Sequence, residues 1–190
     1  MQAFVDSDGG SEAEAALMAA FFDGSEWGLS SEAFLALFKR LRTLRSLGAT
    51  IRTVGFQQGP ATGPDGDQTP YDRGLAQQLL NAAEAHANAR VLVLVGNLHA
   101  RRTSVPANAS RPGFAPMAMH LPSAELLTFD LRYEAGEAYN CMSDGCGPHR
   151  VNVPGANPRR LELITDRGFD GVWAVGPISA ARPLDGRNGR

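Results

Sequence analysis

By residue type and spacing, the chemistry in this chain rests on a histidine, an acid beside a guanidinium, and a pair of cysteines. His99 ends the run Val91-Leu-Val-Leu-Val95-Gly96-Asn97-Leu98-His99. Gly96 lets the chain turn or come close to a ligand, and Asn97 tolerates unusual backbone angles. An imidazole at such a point can be a general base, a metal ligand or a core histidine held by hydrogen bonds. Asp72 and Arg73 follow Thr69-Pro70 at a helix start. They read either as dipole stabilisation with a surface ion pair or as an acid and a guanidinium facing a crevice. His120, in Met117-Ala-Met-His-Leu121, either packs among its apolar neighbours or leans into that crevice. This makes His99, Asp72 and Arg73 the candidate catalytic residues, with His99 also the candidate metal ligand. Gly96, Asn97 and His120 are the candidate ligand-binding residues. His86, near a helix C-terminus, reads as a cap. Cys141 and Cys146, followed by Gly147-Pro148-His149, read as a local disulfide, as reduced thiols, or as half of a metal site that needs His149 and a fourth ligand. No Walker loop, GxGxxG, GxSxG or HExxH is present, so nucleotide binding and the common serine and zinc hydrolase templates lack support.

The elements that would hold these residues follow from patterning. Val91–Val95 is five apolar residues rich in β-branching, the signature of a strand buried on both faces. A helix with Leu75, Leu79, Ala82 and Ala83 on one stripe precedes it, opened by the Thr69 hydroxyl as cap and by Pro70 at a position needing no N–H. Ile51–Phe56 reads as a strand before that helix, which completes a βαβ unit. The expected fold class is therefore α/β, a mostly parallel β-sheet with helices on both faces. In such sheets ligands bind outside the carboxyl ends of the strands, where His99 emerges. Leu126–Tyr133 alternates as a half-exposed strand, and Gly171–Gly176 is a last short strand. Upstream, Ser30 or Ser31 caps a helix with Phe34, Leu37, Phe38, Leu41 and Leu44 on one face, ended by Gly48. Its Lys39, Arg40, Arg42 and Arg45 read as a solvated face. Ala13–Phe22 reads as a short helix, Asp6–Gly10 as a loop or frayed end. Residues 57–68 and 134–160 read as loops, the second carrying the cysteines.

Length and composition bound the rest. At roughly 150 residues per domain, 190 residues argue for one domain over 1–190. Lys plus Arg is 18 and Asp plus Glu is 20, a formal net charge of −2, which gives no global reason to bind nucleic acid. Hydrophobic residues at 43% and charged residues at 20% exclude general disorder. The longest apolar runs, Ala15–Phe22 and Val91–Val95, fall far short of the ~20 residues of a membrane span. No basic residue precedes Lys39, the opposite of a signal peptide's start.

Val91–Arg102, VLVLVGNLHARR, resembles the superfamily of ChaN-like haem-binding lipoproteins, TraB/Tiki proteins and erythromycin-esterase-like hydrolases. Ser30–Leu37 with Leu41–Arg45 resembles the family's helix before its second visible strand. Tyr71-Asp-Arg-Gly-Leu-Ala76 resembles its "RD..MA" helix start with Asp and Arg transposed, and Met117–Leu121, the paired cysteines and Phe169–Gly176 resemble later blocks. The family's opening "GE.HG"-like motif has no match in Met1–Phe22, so relative to the family the chain is expected to be N-terminally incomplete. The resemblance implies a hydrolase of the erythromycin-esterase/Tiki type acting on a small-molecule or peptide substrate. His99 would be its base or metal ligand, with the missing acid supplied by a second chain or a residue such as Glu26. The alternatives are a ChaN-like haem- or iron-binding protein, with His99 or His120 as axial ligand, and a non-catalytic remnant. The implied cofactor is a divalent metal or haem. The implied location is periplasmic or secreted, and an uncovered sheet edge implies a homodimer.

Overall fold

The computed structural model describes residues 1–22, 31–56, 63, 66–109, 111–152, 160–166 and 168–184, without the side chains of residues 21, 22, 141, 146, 152, 165 and 166. These residues form two compact units, one built from 1–55, 135–153 and 177–190, the other from 56–134 and 154–176.

The first unit is mainly helical, with α1 (Gln2–Val5), α2 (Ser11–Leu17) and α3 (Glu32–Ser46). Its core is Phe4, Val5, Leu17 and Phe38, with Phe34, Leu41 and Ile51 packed against them. Gln2–Val5 is anchored in this core, and Asp6–Gly10 is the loop that joins it to α2, as its polar, glycine-bearing sequence suggests. Ser31 caps α3, its hydroxyl accepting from the Phe34 N–H at 3.4 Å, and Gly48 ends the helix with φ +95°, where a side chain would be strained. The basic face of α3 is not simply solvated. Lys39 pairs with Glu14 at 2.8 Å, Arg45 with Asp6 at 3.0 Å, and Arg42 donates to the Asp8 carbonyl at 2.7 Å. Hydrogen bonds from Gln2 and then Arg45 hold the Asp6 carboxyl below the ordinary carboxylate range.

The same unit holds a hairpin, β2 (Ala135–Met142) against β3 (Gly145–Asn152), where composition predicts a loop. Gly136, at φ +132°, bridges to Ile178, and a Cβ there would sit 1.9 Å from the Ile178 carbonyl oxygen. Glu137 donates its N–H to Ile178 at 3.2 Å and so points it away from β3.

The second unit contains α4 (Thr69–Glu84), 3₁₀ turns at Met117–His120 and Ser123–Glu125, and a sheet of β1 (Phe129–Arg132), β5 (Phe169–Ala174) and β4 (Arg160–Asp166) in the order β1-β5-β4. β1 runs parallel to β5, and β4 runs antiparallel to it. Val172 and Ala174 of β5 are buried, while Trp173 on the opposite face is half exposed.

The expectation of a mostly parallel sheet flanked by helices is therefore corrected. The five strands among the described residues make one small mixed sheet and one antiparallel hairpin. Neither Ile51–Phe56 nor Val91–Val95 joins a sheet. Both runs carry the side chains of strands, but among the described residues no strand pairs with them, so the βαβ unit does not close. Leu126–Tyr133 and Gly171–Gly176 do contain strands, β1 and β5.

Candidate functional site

Three short segments of the second unit build the site. The start of α4 is steadied by Asp67, whose carboxylate accepts the Thr69 N–H at 2.8 Å; Thr69, expected as the cap, is the first helical residue, and the N-cap is Gln68, which makes no side-chain cap bond. The Thr69 amide and hydroxyl, with help from the Arg73 charge, hold the Asp67 carboxyl below its usual value. The Thr69 hydroxyl oxygen instead accepts the Ala115 N–H at 3.2 Å and ties the helix to the segment leading into the 3₁₀ turn. Beneath Asp72 lie Leu75, Ala76 and Met117, ringed by Tyr71, Val93 and Val95.

Asp72 is fully buried, and its Oδ1 accepts from the Met117 N–H at 2.6 Å. The same oxygen lies 2.8 Å from His99 Nδ1. With Asp72 ionised its oxygen accepts and Nδ1 donates, the tautomer in which Nε2 carries the lone pair. Nε2 is not among the buried unpartnered atoms of the described residues, and the His99 side chain keeps 26% of its surface exposed. The basic nitrogen therefore faces solvent while its partner is held from below.

His99 is positioned through its backbone as well. Gly96 to His99 is a turn closed by the His99 N–H on the Gly96 carbonyl at 3.0 Å, and the His99 carbonyl accepts the Ala118 N–H at 3.1 Å. Consecutive amides of one 3₁₀ turn, Met117 and Ala118, thus grip the acid and the histidine. The Tyr71 ring stands 5.9 Å from the imidazole, tilted by 57°, and walls one side of the site. The second Asp72 oxygen, Oδ2, is buried with no partner among the described residues, an unspent acceptor beside the imidazole.

Of the candidates read from sequence, the structure brings His99 and Asp72 together. Gly96 forms the turn below His99, and a Cβ on it would touch the imidazole at an ordinary 3.6 Å. Asn97 is exposed at the centre of that turn. Arg73 is exposed on α4, one residue around the helix from Asp72, and acts on Asp67 rather than on the pair. His120 ends the gripping turn with its Nε2 buried and unpartnered, and among the described residues no hydrogen bond joins it to Asp72 or His99. Glu26, the acid considered as a supplement, lies outside the described residues. Sequence reasoning missed Tyr71 and the Met117 and Ala118 amides; the aromatic next to Asp72 was the only signal available for them.

The cysteines belong to the first unit. The register sets Cys141 opposite Cys146, one pair in from the two-residue turn Ser143-Asp144. Pro148, opposite Tyr139, has no N–H to give, and the Glu137 N–H points outward to Ile178. Pairs alternate along an antiparallel ladder, so Cys141 and Cys146 share the non-hydrogen-bonded, closer-spaced class. Their side chains lie outside the described residues.

A second carboxylate pair braces the unit. Arg102 donates to Asp170 Oδ1 at 2.5 Å and to the carbonyls of Leu126 and Ser123. Asp170 Oδ2 accepts from the Thr128 N–H at 2.9 Å and its hydroxyl at 3.2 Å. Burial acts to raise the Asp170 carboxyl, but Arg102 and Thr128 outweigh it and hold the group below its ordinary value.

No protein-family model, no curated protein and no solved structure matches this chain. Among the described residues no three His, Cys, Asp or Glu side chains converge as a metal cage, and no helix is long and apolar enough to cross a membrane.

Proposed function

We propose that the chain is a hydrolase in which His99 Nε2 is the general base that activates water against an ester or peptide carbonyl. The observation that carries this reading is the 2.8 Å contact of His99 Nδ1 with the buried Asp72 carboxylate, which leaves Nε2 unpaired at the surface. As Nε2 takes a proton from the attacking water, positive charge grows on the ring, and Asp72 stabilises it through the Nδ1–H bond in a site where water cannot screen the carboxylate. The Asp72 carboxylate supplies the acid that the sequence reading sought elsewhere. The resemblance of Val91–Arg102 to the erythromycin-esterase/Tiki superfamily supports the same class. The test is a panel of activated esters and short peptides against the wild-type chain, His99→Ala and Asp72→Asn. Turnover that falls with both substitutions, in protein that still folds, is expected. Turnover unchanged in His99→Ala overturns the reading.

A second reading rests on the same arrangement. A histidine whose Nδ1–H is held by a carboxylate is oriented to ligate through Nε2. One such nitrogen fits a single axial position on haem or iron; a protein cage for a divalent ion needs more donors than converge among the described residues. A ChaN-like haem-binding role is tested by haem titration: a Soret shift lost in His99→Ala supports it, and no shift in the wild type ends it. The Cys141–Cys146 disulfide is proposed on backbone register alone, and thiol titration of the unfolded, unreduced chain decides it. A periplasmic or secreted location goes with that disulfide.

A further inference from the structure

We infer that the Tyr71 hydroxyl is a second catalytic group of this site, the hydrogen-bond donor to the carbonyl oxygen as water adds to the carbon. The inference rests on His99 acting as the general base, and it names what that base lacks. Addition of water puts negative charge on the carbonyl oxygen, and a site that speeds this step holds a fixed donor where that charge develops. The amides that touch the pair are already committed, Met117 to Asp72 and Ala118 to the His99 carbonyl. Asp72 as a carboxylate only accepts, and the side chains of Val93, Val95 and Leu121, which pack on the same cluster, have no donor to offer.

Tyr71 is furnished differently. It immediately precedes Asp72 in the first turn of α4, so it leaves the helix about 100° round from the acid. The acid thus holds the imidazole from below while the phenol ring flanks it, 5.9 Å between ring centroids. That ring packs on Leu75, Ala76 and Met117, which limits where its hydroxyl can stand. The hydroxyl makes no hydrogen bond among the described residues and is not one of their buried unpartnered atoms, so it opens to solvent as Nε2 does. A tyrosine packed into a core ordinarily gives its hydroxyl a partner in the fold. Here an anchored ring carries an unused donor beside a histidine that carries an unused acceptor. In the step this assigns, Nε2 takes a proton as the water oxygen bonds to the carbonyl carbon, and the C=O π pair moves onto the oxygen held by the Tyr71 O–H. The pair then returns to re-form C=O, the bond to the alcohol or amine breaks, and that leaving group takes the proton from His99. Tyr71 keeps its own proton throughout, and water is the only co-reactant.

The experiment is steady-state hydrolysis of p-nitrophenyl acetate by the full chain as wild type, Tyr71→Phe, Tyr71→Leu and His99→Ala, with a urea midpoint for each. Tyr71→Phe keeps the ring and its packing, so kcat should fall by about 10–100-fold while KM and the midpoint stay close to wild type. Tyr71→Leu should lose as much turnover and lower the midpoint as well. The anion of p-nitrophenyl methylphosphonate has the tetrahedral shape and charge of the addition intermediate, so it should inhibit Tyr71→Phe at least about tenfold more weakly than wild type. Tyr71→Phe with wild-type kcat, or with undiminished phosphonate inhibition, overturns the inference; if His99→Ala is inactive in the same assay, the general base still stands. Turnover lost in Tyr71→Leu but kept in Tyr71→Phe makes the ring a wall only, which also overturns it. A wild type without turnover, or His99→Ala as active as wild type, overturns both readings together.

Discussion

Asp170 and Asp72 are both drawn into the second unit, and they are furnished in opposite ways. Asp170 has both oxygens occupied, Oδ1 by Arg102 and Oδ2 by the Thr128 amide and hydroxyl. Asp72 is the more deeply buried, yet only Oδ1 is occupied, and one of its two partners is an imidazole with a free second nitrogen. A carboxylate saturated by a guanidinium and a strand-end residue holds loops to a sheet. A carboxylate that orients a partly exposed histidine and keeps an oxygen unpaired among the described residues carries a cost that stability alone does not explain. On the proposed reading the two sites divide the work: one fixes the fold, the other equips it.

The largest effect expected from this division is on catalysis. His99→Ala should lower turnover by about 10²–10⁴-fold per folded molecule, and because it leaves the buried Asp72 carboxylate with the Met117 amide alone, the urea midpoint should fall as well. Asp72→Asn comes next. The amide oxygen can still accept from Met117, so the fold persists, but the countercharge to the imidazolium is gone and turnover should fall by about tenfold or more. Imidazole ¹⁵N shifts of His99 check the cause, since loss of the carboxylate should release the Nδ1–H preference.

Asp170→Asn should do the reverse. It removes charge-assisted bonds worth about 1.5–3 kcal/mol, read as a lower urea midpoint, with turnover per folded molecule unchanged. The pH dependence has a definite sign. The folded-state carboxyl is held below its unfolded value, so its contribution is complete above that value, about pH 4, and is lost as pH falls through the folded one. Wild type and Asp170→Asn should therefore converge in stability below about pH 4 and separate above it. The smallest effect belongs to Arg73→Gln. An exposed guanidinium that touches only the Asp67 field should change turnover and stability little, by no more than about 0.5 kcal/mol.

The parts of the site were legible in the sequence, and their meeting was not. His99 stands out because a glycine-bearing turn follows a β-branched run, and Asp72 because Thr-Pro opens a helix. Their contact spans 27 residues and is made by the Met117 turn, whose short apolar sequence carries no sign of gripping anything. The sheet was misread for a related reason. Val91–Val95 expresses a local preference for extended backbone, whereas a sheet requires a second strand in register, which is a property of the whole chain. The hairpin was missed because Gly136, Gly145, Gly147 and Pro148 look like loop chemistry. Pro148 is tolerated there because the alternation of the ladder asks for no N–H at its position, which only the register reveals.

The turn at Met117–His120 has one more consequence. Its first two amide protons are committed to different members of the pair, Met117 to the acid and Ala118 to the histidine. Each proton can exchange with solvent only when its own contact opens. The molecule thus carries two adjacent built-in gauges. Comparing their exchange rates would tell whether acid and base come loose together or one at a time, with no substrate required.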